Sequence, residues 1–396
     1  MIIIKAIVIG ATNDILYGCK LLKEHNIDYY IVDGAQDAPG FKYGNNHAVI
    51  DISNEKEVIK YATENNINFV LPVPIGRYIT TWAAVNEKLG LKGLSSQAAL
   101  LCTDKWLFHK TLNDNGLRNA NAFLINKDFN LTQLDKIKLP QILKPRFGSG
   151  SRGVVQIDNI EKLYECISNV IEENEDYILE DAIPGVEFGV DAMILDGNFN
   201  LVLLREKKLT PLPNRQAIAY YSKYDENKYH GLLEKATKKV KAIVKQLGIN
   251  NSIMHADLMV NDKDIFMIEI SARPSGHNMH NNFTIKATDY DMLDNYIRYQ
   301  MGEDITFDEI KVKNVCMHYF DFENVLFKKV PTESEIMEIK GVLQFKCNIK
   351  VNDSRRIISQ GSDLINDGFV IIQANNREEF DKIINQVKAC FEVEAI

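Results

Sequence analysis

Two groups of residues in this sequence have the types and spacing for chemistry on phosphates. The first is Gln141-Ile-Leu-Lys-Pro-Arg-Phe-Gly-Ser-Gly-Ser-Arg-Gly153, an apolar run that delivers a lysine and then a glycine-rich loop. Backbone N–H groups freed by glycine, beside an ammonium, make a phosphate cradle. Lys144 precedes the glycines instead of following them, so this is not a Walker A loop. A hairpin that closes over phosphates from one side fits better. The second group is Asp257 and Glu269, on two apolar runs joined by the turn Asn261-Asp-Lys-Asp264. Such a hairpin brings two carboxylates onto one face, where they repel unless a cation joins them. Magnesium with triphosphate oxygens suits that pair, because Mg²⁺ prefers a few carboxylates plus substrate phosphates to an all-protein cage. Ser271-Ala-Arg-Pro-Ser-Gly-His277 follows and sets the Arg273 guanidinium beside the metal and the transferring phosphoryl group.

Other residues carry weaker signals. In the loop Arg205 to Arg215, Lys207 and Arg215 are candidates for a substrate carboxylate or the γ-phosphate, and a solvated position is the plain alternative. His255 and His277 flank the proposed metal residues, and either imidazole titrates in the right range to deprotonate an amine, structural hydrogen bonding being the alternative for each. Arg77 follows the turn Pro72-Val-Pro-Ile-Gly76 at a strand end, facing the crevice where open α/β sheets bind ligands, or else the surface. Arg355 and Arg356 read as a solvated pair, with contact to an anionic substrate the alternative.

The elements that must position these groups are legible in outline. The first hundred residues alternate strand and helix signals, which predicts a parallel, doubly wound sheet with strands at Ile2 to Ile9, Tyr29 to Val32, His47 to Asp51 and Asn68 to Val73. Gly10 turns out of the first strand and Asp33 closes the second, but the Gly-x-Gly-x-x-Gly fingerprint is absent, which disfavours an NAD-dependent oxidoreductase. A helical pattern runs from Ser96 to Leu112. A small mixed unit containing the glycine loop follows, then strands through Pro184-Gly185, at Phe199 to Leu204, Ser252 to Val260 and Ile265 to Ile270, with a helix near Leu232 to Leu247. The final segment has strands near Val315 to Phe320 and Gly368 to Gln373 and a helix from Arg377 to Phe391.

With 396 residues, two or three domains are expected. A net charge of −8 argues against nucleic acid or a membrane surface as partner, so any anion site must be locally basic. Lys5 interrupts the apolar opening, which reads as a buried strand and not a leader, and no window reaches a membrane span. The six cysteines are scattered without metal spacing, which suggests reduced thiols in a cytoplasm.

Taken in order, Lys105, Lys144, the Gly148 to Gly153 loop, Glu180 to Glu187, Asp257 and Glu269-Ile-Ser-Ala-Arg-Pro resemble the ATP-grasp superfamily over nearly the whole chain. Within it the chain most resembles L-amino acid ligases and related carboxylate–amine ligases, with a C-terminal extension similar to that of biotin carboxylase relatives. The resemblance implies an α/β fold, α+β in part: an N-terminal Rossmann-like parallel-sheet domain (1–97), a central antiparallel-sheet ATP-grasp domain (98–310) with a small lid subdomain at about 121–180, and a C-terminal α+β subdomain (311–396). It implies that Lys105 and Lys144 hold the ATP phosphates under the loop of Gly148, Ser149, Gly150, Ser151 and Gly153. Glu180, Asp181 and Ala182 would meet the adenine edge and Glu187 the ribose. Asp257, Glu269 and Ser271 would ligate Mg²⁺, or Mn²⁺ in its place, with Arg273 on an acyl phosphate. Ser271 stands where the family commonly has asparagine, so the second metal is expected to lean on Glu269 or to coordinate through water.

The implied reaction joins a carboxylate, activated by ATP as an acyl phosphate, to an amine with release of ADP and phosphate, in a C–N-bond-forming ligase. Its partners are small-molecule carboxylate and amine substrates, and a homodimer is the expected state. A bicarbonate-activating carboxylase or carbamoyl-phosphate-type enzyme is the alternative among enzymes, and a non-catalytic ATP-binding regulatory module the alternative outside them.

Overall fold

The chain, seen in a computed structural model, is described over residues 4–118, 120–148, 153–173, 175–211, 215–308, 310–358 and 361–396. Its apolar opening forms β1 (Lys5–Ile9), the inner strand of a parallel sheet with β2 (Asp28–Asp33), β3 (Asn46–Val49) and β4 (Phe69–Val70), in the order β3-β2-β1-β4. The fourth strand is shorter than its apolar run because the chain turns away at Pro72 and Pro74. The Asp33 carboxylate accepts from the N–H of Ala11 (2.7 Å) and of Ala35 (2.9 Å), so it holds the strand ends together where a dinucleotide fold would offer it to a ribose.

The helical pattern from Ser96 breaks into Ser96–Thr103 and Lys105–Asp114, because Asp104 is extended (ψ 99°) and caps the second helix through the N–H groups of Trp106 and Leu107. Beyond it lies a four-stranded antiparallel sheet of β5 (Ala122–Ile125), β6 (Gln141–Pro145), β7 (Val155–Ile157) and β8 (Tyr177–Asp181), in the order β5-β8-β6-β7. The amphipathic helix Ile160–Glu173 buries Leu163 and Ile167 against Ile125, Leu143 and Leu179 of this sheet, which gives the unit a core of its own.

An eight-stranded antiparallel sheet dominates the rest, with β9 (Val186–Leu195), β10 (Asn198–Leu209), β11 (Ala217–Tyr221), β12 (Ser252–Val260), β13 (Ile265–Ser271) and β14 (Val315–Tyr319). After β15 (Val325–Lys329) come β16 (Val342–Cys347), β17 (Ser354–Arg355), β18 (Gly368–Gln373) and β19 (Glu392–Ala395). The large sheet runs β13-β12-β9-β10-β11-β14-β18-β16, so strands from beyond residue 311 continue the central sheet; only β17-β15-β19 stand apart. Even-numbered residues of β9 and β12, among them Val190, Ala192, Met254 and Ala256, share one core with the helix Leu232–Leu247. Strand alternation then turns the odd-numbered residues to the opposite face. No helix among the described residues is long and apolar enough to cross a membrane.

Candidate active site

That opposite face carries the charged residues. Asp257 on β12 lies directly across from Glu269 on β13 and from Gly189 on β9, and Gly189 in turn faces Arg205 on β10. One step along the strands, Ser271, His255 and Asp191 form a parallel row. Directly opposed residues in an antiparallel pair share a face, so the two carboxylates point the same way. The hairpin that sets this register is closed by Asn261, whose side-chain oxygen accepts from the N–H of Lys263 (3.0 Å) and of Asp264 (3.1 Å).

Lys207 sits among the acids of this face. Its ammonium is 2.6 Å from Asp257 Oδ2 and 3.8 Å from Glu187 Oε2, while Arg215 Nη2 donates to Glu187 Oε1 at 3.0 Å. The Lys207 side chain is only 8% exposed, so the solvated alternative for it is lost. Burial opposes its charge, but the charges of Asp257 and Glu187 overcome burial and hold it protonated well above the ordinary range. Burial likewise pushes the Asp257 carboxyl up, and Lys207 more than offsets this, keeping it below its usual value. Gly185, Val186, Glu187, Lys207 and Arg215 border a cleft of about 300 Å³.

Gly189 has a steric reason: a Cβ there would lie 2.7 Å from Arg205 Cζ. The bare backbone lets the guanidinium lie across it to reach buried Asp191, which also accepts from Thr284 Oγ1 at 3.0 Å. This buried pair pins the floor of the face.

Gly148, where the small sheet runs into the glycine loop, lies beside Lys105. Lys105, the first residue of its helix, donates from Nζ to the Gly148 carbonyl at 2.7 Å, and burial lowers its pKa while the charge of Glu269 raises it. Arg146, just before the glycines, grips Asp104 Oδ1 (2.9 Å) and Oδ2 (2.6 Å), tying loop to helix. Gly148 and Gly153 have φ of +149° and +71°, where a side chain would be strained. Ser149, Gly150 and Ser151 lie outside the described residues.

Lys144 and Glu180 are both buried, with Lys144 Nζ 2.5 Å from Glu180 Oε1. Glu180 Oε2 also meets Arg118 Nη2 (2.8 Å) and His109 Nε2 (2.9 Å), so its carboxylate is enclosed by basic groups instead of turned toward an open edge. Burial raises the Glu180 carboxyl, and Lys144, His109 and Arg118 together bring it well below the ordinary range. Asp181 is spent on Asn121 and Gln141, while the Ala182 N–H donates to the Pro140 carbonyl (3.2 Å).

Beyond β13 the chain makes a tight turn with His277 and Asn278 left-handed at φ +60° and +63°, and Tyr319 Oη donates to the His277 carbonyl at 2.5 Å. Arg273 donates to the Pro274 carbonyl (3.0 Å), and its buried Nε has no hydrogen-bond partner among the described residues. A buried guanidinium with an unspent donor suits an anion. Burial lowers its pKa, and the charges of Glu269 and Asp14 raise it. His277 reaches solvent, but the protein atoms crowded around its ring lower its pKa, and the charge of Asp14 opposes this. His255 faces Arg273 O through Nδ1 (3.0 Å), and burial drives its pKa down to about 3, which makes it structural. Ser271 is half-buried in the row beside His255. Arg77 is exposed, its guanidinium over the Tyr78 ring at 5.5 Å, and Arg355 is bound to Asp367.

The donor set fits magnesium carried by a nucleotide. Among the described residues no three His, Cys, Asp or Glu side chains form a metal cage, whereas Asp257 and Glu269 offer two carboxylates that phosphate oxygens would complete. Sequence reasoning missed Asp14, His109, Arg118 and Asp191. None belongs to a local motif: Asp14, His109 and Arg118 act through partners far away in the chain, and Asp191 through Arg205 on the next strand.

Residues 137–281 match the family model described as ATP-grasp domain. The chain is similar to D-alanine–D-alanine ligase A of Bacillus cereus, 24% identical over 246 residues that cover 58% of this chain and 78% of the relative. Among solved structures it is similar to L-amino acid ligase from Bacillus licheniformis, with a TM-score of 0.80, 17% identity and 99% of each chain covered. It is also similar to N5-carboxyaminoimidazole synthetase from Staphylococcus aureus in complex with ADP, with a TM-score of 0.72, 17% identity, and 97% of this chain and 96% of that one covered. At these identities the two structures speak for the fold, and the domain match speaks for the segment it covers. Residues 137–281 carry an ATP-grasp domain, and the chain as a whole has the fold of these two solved structures.

Proposed function

We propose that the chain is an ATP-dependent carboxylate–amine ligase whose carboxylate substrate is an amino acid. The observation that carries this reading is the facing pair Asp257 and Glu269 with the charges of Lys105 and Arg273 beside it. The site holds several cations and paired carboxylates, and the reading requires no protein nucleophile. Positioning and charge neutralisation supply most of the catalysis in phosphoryl transfer.

In this reading Lys105, Lys144 and the loop from Gly148 to Gly153 hold the phosphates, and Glu187 takes the ribose in the cleft it lines with Arg215. Asp257 and Glu269, with Ser271 beside them, hold magnesium, which supplies neutralisation of charge on the phosphate oxygens when bound. A substrate carboxylate oxygen attacks the γ-phosphorus, the bond to the β-phosphate oxygen breaks, and ADP leaves. Arg273, with its unspent Nε donor, holds the resulting acyl phosphate. An amine nitrogen then attacks the acyl carbon and phosphate leaves, while His277, its pKa lowered, accepts the amine proton. Asp14, whose charge reaches both Arg273 and His277 from the N-terminal unit, is placed to take a substrate ammonium.

The sequence likeness to D-alanine–D-alanine ligases favours amino acids over bicarbonate, which is supported by fold alone. Hydroxylamine tests the step, since it captures an acyl phosphate as a hydroxamate. With Mg-ATP and pooled amino acids the expected result is hydroxamate with equimolar ADP. ADP without hydroxamate from any amino acid, together with stimulation by bicarbonate, would favour the carboxylase reading.

A further inference from the structure

Lys207 occupies ground that a metal would need. Its ammonium lies 2.6 Å from Asp257 and 3.8 Å from Glu187, almost wholly buried in a regular strand. Across the same face Asp191 is matched by Arg205 and Glu187 by Arg215, and the exposed Glu269 is offset by the nearby charges of Lys105 and Arg273. The nucleotide-free face is thus electrically balanced. A divalent cation arriving alone adds two charges beside a fixed ammonium and must compete with it for Asp257. A cation arriving on a triphosphate brings a net anion, which the same ammonium attracts.

We propose that Lys207 is a resident counter-ion that stands in for the metal at Asp257, so that the divalent cation enters only together with the nucleotide. This deepens the ligase reading and rests on its assignment of Asp257 as a metal ligand. The role differs from that of a phosphate-binding lysine, because it is exercised when no phosphate is present. It also accounts for the burial of an ammonium against a carboxylate in a site that is meant to hold a metal. Pairing with Lys207 keeps Asp257 ionised and aimed along the face until the metal comes.

Mn²⁺ is the probe, followed by the loss of its free-ion magnetic-resonance signal on adding protein. The nucleotide-free wild type is expected to retain little Mn²⁺, and with ADP present to retain it at least about tenfold more tightly. Lys207→Met is expected to gain nucleotide-free Mn²⁺ binding of about tenfold or more over the wild type. Lys207→Arg keeps the charge and shows no such gain, and Asp257→Asn added to Lys207→Met abolishes it. Equal nucleotide-free affinity in wild type and Lys207→Met overturns the proposal while leaving the ligase reading intact. Should Lys207→Met fail to fold, the wild type decides: nucleotide-free Mn²⁺ affinity equal to that with ADP overturns it. A wild type that binds neither ADP nor Mn²⁺ with ADP overturns the ligase reading, and the proposal falls with it.

Discussion

The charged side chains of this molecule are sorted by how deeply they are buried, and that sorting has a cost in acid. His109 is fully buried, and burial lowers its pKa to about 4 despite Glu180; His255 is lowered to about 3. Unfolded, both titrate near 6.5, so below that pH the unfolded chain binds more protons and stability falls with falling pH. The acids with lowered values, Glu180 and Asp257, lose their contribution only below about pH 4, whereas burial raises Glu206, Asp291 and Asp367, which act in the opposite sense low in the window. The loss is therefore cleanest between pH 7.5 and 5.5, where each of the two histidines is worth about 1.4 kcal/mol per pH unit below 6.5. Denaturant midpoints at the two pH values check this, and His109→Gln is expected to remove a measurable part of the drop, the rest being shared with His255, His277 and His280. A midpoint that stays flat would mean the two rings are not held neutral. At this scale the sequence exposed residues with a local signature, such as Lys144 and Arg273. It hid those whose role is set by a remote partner: Arg118 and His109 meet Glu180 only after three segments converge.

At the scale of elements, the large sheet does most of the positioning, and one glycine makes its charged floor. Gly189→Ala would thrust a methyl to 2.7 Å from the Arg205 guanidinium and drive it from Asp191. Disturbing a buried pair costs about 3 kcal/mol, so the variant is expected to unfold at lower denaturant by that amount, measured by circular dichroism. No change in midpoint would show that the guanidinium has somewhere else to go. Apolar runs joined by a turn were readable: Ser252–Val260 forms as expected, Ile265–Ser271 runs one residue past the expected Ile270, and the hairpin brings Asp257 opposite Glu269. The helix break at Asp104 was less visible, since Ser96 to Leu112 keeps helical periodicity across it and only the extended backbone at Asp104 reveals a cap. Sheet order was not readable at all. That β14, β18 and β16 extend the central sheet depends on β14 pairing with β11, more than 90 residues away in the chain.

For the molecule as a whole, three units converge on one face: the parallel-sheet unit contributes Asp14, the small-sheet unit Lys144 and Gly148, and the large sheet the carboxylates and Arg273. Their convergence is what a two-step ligation demands, with phosphates, an activated carboxylate and an amine held in one place away from water. The most direct test is release of ADP and phosphate from Mg-ATP over pooled amino acids, dipeptides, small carboxylates and bicarbonate, with Glu269→Gln alongside. The account predicts release that depends on an amino-acid pool, in equal amounts of the two products, falling at least about 100-fold in Glu269→Gln for loss of several kcal/mol of metal-assisted stabilisation. Release that no amino-acid pool stimulates, or that survives undiminished in Glu269→Gln, would contradict it.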